Sequence, residues 1–132
     1  MNHPVYVFDT GGLLAYASRD EKVGQVLVDA ADLGRRVIIP VICLVEAYRQ
    51  LDHDEHPLLG PLRANEMVDV AAIDTAWGTD AAPTIGSMAR HTGRLGAAHT
   101  VWAAITAGGE VVTSLAHELT PILGTDWPIV EV

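Results

Sequence analysis

Short apolar runs alternate along this chain with longer stretches in which apolar residues recur every three or four positions. Val5–Phe8, Val37–Ile39 and Val111–Thr113 are brief, rich in Val and Ile and bounded by turn or helix signals, so they read as interior strands. Met67–Ile73 is a weaker strand candidate, and Ile129–Val132 supplies a last one. Three- and four-residue spacing predicts helices over Glu21–Leu33, Val41–Leu51 and Gly96–Ala107. Gly34 and the Gly108-Gly109 pair stand where those helices must stop before the next strand.

Strand alternating with helix implies an α/β fold, with a central parallel sheet of four to five strands covered on both faces and joined by right-handed crossovers. At 132 residues the chain reads as one domain, residues 1–132. The polar breaks at His53–Pro61 and Gly78–Pro83 are expected near a cleft or a partner. No internal repeat, low-complexity tract or linker is found.

Composition narrows the function. Hydrophobic residues make up 49% and charged residues 19%, which fits a compact globule and argues against disorder. The net charge of −9, from 17 acidic and 8 basic residues, repels polyanions at long range, so charge-driven binding of RNA is disfavoured. A metal ion or a local basic patch would change that. The single cysteine, Cys43, lies between Ile42 and Leu44, which predicts a buried thiol and excludes an internal disulfide. The expected setting is reduced and cytoplasmic. The amino terminus lacks the basic stretch and long apolar segment of a secretory signal, and no window is long enough to span a bilayer.

Candidate chemistry begins with Asp9, which ends an apolar strand and precedes Thr10-Gly11-Gly12. That places a carboxylate where a buried strand opens into a loop, at the end of a parallel sheet where ligands and metals collect. The plainer role for Asp9, or for Thr10, is to cap the following helix. Glu46 falls inside an otherwise apolar helix opened by Pro40, and there it needs a partner to offset desolvation. A divalent cation is one such partner, and a salt bridge to Arg49 or Arg36 is another. His53-Asp54-Glu55-His56 lacks the spacing of a zinc helix, and Pro57 is expected to end any helix there, so the segment reads as a solvated loop. Trp77, Trp102 and Trp127 are scattered and not interleaved with basic residues; they read as core or interface anchors.

Four segments in order resemble a PIN domain of the VapC toxin type. They are Val-Tyr-Val-Phe-Asp-Thr-Gly-Gly-Leu-Leu-Ala-Tyr, Val-Ile-Ile-Pro-Val-Ile-Cys-Leu-Val-Glu-Ala-Tyr-Arg, Ala-Ala-His-Thr-Val-Trp-Ala-Ala-Ile and Gly-Glu-Val-Val-Thr-Ser. The resemblance runs from about Val5 to about Leu123. It implies a three-layer α/β/α fold in which three or four carboxylates hold magnesium or manganese for cleavage of RNA. Asp9 matches the first acid and Glu46 the second. Ala97 stands where the family has its third, Arg94 replaces an acid sometimes found three residues earlier, and Leu115 stands at the fourth.

With two acids left, a second metal has no recognisable holder, and any magnesium or manganese is expected to bind weakly at Asp9 and Glu46. Thr113 and Ser114 would add hydroxyls to catalysis, Thr10, Arg94 and His99 are candidates for contacting substrate, and Glu118 is a displaced carboxylate one turn past Leu115. His99 has an ordinary reading as one position of an amphipathic helix, and Thr113 and Ser114 as caps of the helix that follows. A haloacid dehalogenase-like phosphatase is set aside because Gly11 stands where its second Asp belongs and Lys22, the one lysine, comes too early. The resemblance therefore implies a ribonuclease of weak or no activity, a homodimer restrained by an antitoxin protein. The alternative is a catalytically inactive scaffold that binds protein or RNA.

Overall fold

A computed structural model describes residues 5–73 and 81–132. Trp77, and the part of the expected break that runs from Gly78 to residue 80, lie outside the described residues. Within them the chain forms β1 (Tyr6–Phe8), α1 (Thr10–Ala17), α2 (Glu21–Leu33), β2 (Val37–Pro40) and α3 (Val41–Gln50). A 3-10 helix (His53–Leu59), α4 (Gly60–Ala64) and β3 (Val68–Ala71) follow. The rest is α5 (Ala81–Thr92), α6 (Leu95–Ala107), β4 (Glu110–Thr113), α7 (Ala116–Leu123) and β5 (Ile129–Glu131).

All five strands pair in parallel, in the order β3-β2-β1-β4-β5. Side chains alternate across a strand, so each strand feeds both layers. Tyr6, Phe8, Val37, Ile39 and Val112 pack with residues of α1 to α4 on one face. Val7 and Val111 pack with α5, α6 and α7 on the other. The result is a three-layer α/β/α fold with helices on both sides of the sheet. Double coverage is why the strands read as unbroken apolar runs.

Local chemistry sets the element ends. Asp20 accepts from the backbone N–H groups of Lys22 and Val23 to start α2, and Gly34, at φ 67°, ends it in a left-handed turn. Gly108, at φ 69°, ends α6 likewise. Trp102 joins the core, and Trp127 packs beside it while its indole donates to the Gly109 carbonyl at 2.8 Å.

Three expectations are corrected. Asp9 does not open into a loop, because α1 starts at Thr10. Two glycines are poor helix formers, yet they let α1 sit against β4: a Cβ on Gly12 would lie 2.5 Å from the Val112 carbonyl oxygen. His53–Pro61 is not a loop, and Pro57 lies inside the 3-10 helix instead of ending it. That helix is held at its start by the Asp52 N–H, which donates to Glu55 Oε1 at 3.0 Å. Gly78–Pro83 is not an open break where it is described, since Ala81 already begins α5. Pro83 is tolerated in its first turn because N–H groups there have no partner within the helix.

Candidate functional site

The chain leaves β1 towards β2 on one side and later returns to β4 on the other. The carboxyl ends of β1 and β4 thus flank the switch point of the sheet, where open parallel sheets form a crevice. Asp9 stands at one end and Thr113 at the other. Asp9 is 1% exposed. Its Oδ1 accepts from the Gly12 N–H at 2.8 Å, which caps α1, and its Oδ2 accepts from the Thr113 hydroxyl. The Thr113 oxygen in turn accepts from the Leu115 N–H at 2.8 Å. Burial pushes the Asp9 carboxyl up to about 6, against the pull of the Thr113 and Gly12 hydrogen bonds and the Arg94 charge.

Glu46 arrives from α3. Its Oε1 accepts from the Thr10 hydroxyl at 3.0 Å and from Arg94 Nη1 at 3.2 Å. Arg94 also donates from Nε at 2.8 Å and Nη2 at 2.5 Å to Glu118 Oε2, on the first turn of α7. The three side chains are 28%, 22% and 20% exposed, so the bridge lies half-buried at the mouth. Burial disfavours the guanidinium charge, but the Glu118 hydrogen bonds and the charges of Glu118, Glu46 and Asp9 raise its pKa overall. The partner of Glu46 is therefore Arg94 and neither Arg49 nor Arg36. Arg36 is spent on Asp69, which it meets at 2.7 Å on the surface.

Two glycines make room for this arrangement, Gly11, which the sequence marked after Asp9, and Gly96, which it did not. A Cβ on Gly96 would lie 1.7 Å from Glu46 Oε1, and one on Gly11 would lie 2.2 Å from Ser114 Oγ. A glycine in the first turn of an otherwise alanine-rich helix was the available signal for Gly96. Ser114 is exposed beside α1. Ala97 is buried in the apolar core and brings no charge.

His99 does not join the acids. It is fully buried, and its Nδ1 accepts from the Ile42 N–H at 3.4 Å at the start of α3, where Pro40 has no side-chain cap to offer. Its Nε2 has no hydrogen-bond partner among the described residues, and burial pushes the imidazole down to about 4. It serves as a neutral cap borrowed from α6. Cys43 is buried as expected, with Sγ 3.2 Å from the Gly96 carbonyl oxygen and 3.0 Å from Thr100 Oγ1, and burial pushes the thiol up to about 12.

Magnesium or manganese needs several free oxygens around one open position. Both Asp9 oxygens already accept hydrogen bonds, Glu46 Oε1 accepts two, and a guanidinium sits between Glu46 and Glu118. Among the described residues no group of three or more His, Cys, Asp or Glu is arranged to hold a metal ion. The residues as they stand do not fit a divalent cation.

A cleft of about 480 Å³ lies elsewhere, walled by Tyr16, Val23, Leu27, Pro57, Leu58 and Pro61. The segment His53–Pro61 thus borders a cleft, though one away from the acids. No described helix is long and apolar enough to cross a membrane. The chain matches no protein-family model and no curated protein.

Proposed function

We propose that this chain is a PIN-type domain similar to the VapC toxins, in which divalent-metal ribonuclease chemistry is weak or lost, and which acts as a protein-binding scaffold. The observation that carries this reading is Arg94, whose guanidinium bridges Glu46 and Glu118 where the resemblance calls for a metal ion. The order of Asp9, Glu46 and the Thr113-Ser114 strand end supports the family likeness. So does the position of Asp9 and Thr113 at the switch point of a parallel sheet. Fold alone does not carry activity, and here the site chemistry points away from it. A net charge of −9 favours a basic protein partner, such as an antitoxin, over RNA. A homodimer and a cytoplasmic setting belong to the same proposal.

The second reading is a residual ribonuclease, with Asp9 and Glu46 on one metal ion and Thr113 or Ser114 assisting. It draws on the Thr10 hydroxyl, one residue after Asp9, which donates to Glu46 Oε1 at 3.0 Å. One assay separates the two. Purified protein incubated with labelled RNA in magnesium or manganese is expected to cleave no faster than its Asp9→Asn variant. Metal-dependent cleavage that Asp9→Asn abolishes would overturn the scaffold reading.

A further inference from the structure

We infer that Arg94 is the resident cation of this site, a guanidinium clasp between α3 and α7 that keeps divalent ions out, and that its removal opens a cation site on Glu46 and Glu118. The inference rests on the scaffold reading above and adds to it the residue that enforces metal independence.

Arg94 occupies the position before α6 with extended backbone, φ −131° and ψ 141°, and contributes no side-chain cap to that helix. Its side chain is free to reach across the mouth. There it meets a carboxylate from each neighbouring helix, Glu46 on α3 and Glu118 on α7. Guanidinium suits this task because its donors are spread in a rigid plane and can serve two acids at once, and because it is never deprotonated. Gly96 completes the fit: with no Cβ there, the Glu46 carboxylate occupies the space beside the start of α6.

Without the guanidinium, two half-buried carboxylates would face each other with the Asp9 charge behind them. Like charges at such range destabilise the fold. A divalent ion that accepts carboxylate oxygens and completes its shell with water would relieve them. The clasp and the ion are therefore alternatives for one position.

The test is manganese chloride added to wild type, to Arg94→Met, which keeps the aliphatic bulk, and to Arg94→Met/Glu118→Gln. Melting temperature and the loss of the free manganese signal in electron paramagnetic resonance are the readouts. Wild type should bind no manganese and show no shift. Arg94→Met should melt lower than wild type without metal, regain roughly 5 °C or more in excess manganese, and bind about one ion per chain. The double variant should lose most of that response. Folded Arg94→Met that binds no manganese would overturn the inference, as would wild type binding as tightly as the variant. Should Arg94→Met not fold alone, refolding in manganese is expected to recover it, and failure there would count equally against the clasp. RNA cleavage by wild type would instead sink the scaffold reading, so the two failures are distinguishable.

Discussion

The Thr113 hydroxyl, at the end of β4, donates to the buried Asp9 carboxylate at the end of β1. One hydrogen bond thus ties together the two strands that flank the switch point of the sheet. Asp9 also caps α1 through the Gly12 N–H. Its place is structural as much as chemical, and several outcomes follow from that.

Asp9 and His99 should tilt the pH dependence of stability in opposite directions. The folded-state pKa of Asp9, about 6, lies above its ordinary 3.8, so its contribution is present below 3.8 and lost as pH rises to 6. Above pH 6 the buried charge costs about 3 kcal/mol, at 1.4 kcal/mol for each pKa unit. Asp9→Asn should therefore be more stable than wild type at pH 7.5, by up to that amount, with the gap closing towards pH 4. Urea unfolding at several pH values measures it; a gap that does not change with pH would contradict the burial argument. Arg94 and Glu118 are the charged groups that act on Asp9, so the profile should be repeated in low and high salt.

The folded-state pKa of His99, about 4, lies below its ordinary 6.5, so the opposite sign applies. Its contribution is complete above pH 6.5 and lost as pH falls to 4, a loss of about 3 kcal/mol. His99→Leu should remove that acid sensitivity. It should also cost about 1 kcal/mol at pH 7.5, because the Ile42 N–H at the start of α3 loses its acceptor.

Two helix glycines should respond oppositely to alanine. Gly24 on α2 has nothing among the described residues near the place of a Cβ, so Gly24→Ala should stabilise by about 1 kcal/mol through helix propensity. Gly96→Ala should destabilise despite the same propensity gain, since its Cβ would meet Glu46 Oε1 at 1.7 Å and force the carboxylate off Arg94. Thermal melts of both variants check this, and an equal gain at the two sites would refute the close approach.

Arg19 adopts φ 62° where α1 turns into α2, the left-handed position at which helices usually place glycine. Arg19→Gly should raise stability by about 1 kcal/mol, since the side chain is exposed and the strain disappears. A thermal melt showing a loss would mean that the Arg19 side chain holds the turn.

Cys43, wholly buried and pushed up to about 12, should resist thiol reagents in the folded protein and react stoichiometrically once unfolded. Ellman's reagent with and without denaturant reads this directly; fast labelling of the native chain would contradict its burial.

Periodicity made the core of the fold legible. Glu21–Leu33 is helix over the residues expected, and Val37–Ile39 and Val111–Thr113 lie within β2 and β4. The weak candidate Met67–Ile73 contains β3. The twelve-residue α5 escaped because Pro83 and Gly86 interrupt its apolar period, and the other elements missed were short or broke a local rule. Thr10-Gly11-Gly12 has poor helix propensity and becomes helical because Asp9 caps it and β4 accepts its bare backbone. Pro57 lies in a 3-10 helix of a single short segment. In the site, Asp9 and Glu46 were readable as acids in apolar settings, but the choice of Arg94 over Arg36 or Arg49 was not.

The amino-acid sequence by itself determined the alternation of strand and helix, the buried thiol, and two carboxylates in surroundings that demand partners. These follow from period, turn chemistry and desolvation, which act within a few residues. Tertiary structure alone decided that Glu46 and Glu118 would both meet Arg94, from 48 positions away in one pair and 24 in the other. Their meeting depends on the crossing from β3 to β4, which lays the start of α6 beside α3 and under α7, and no local pattern encodes that path.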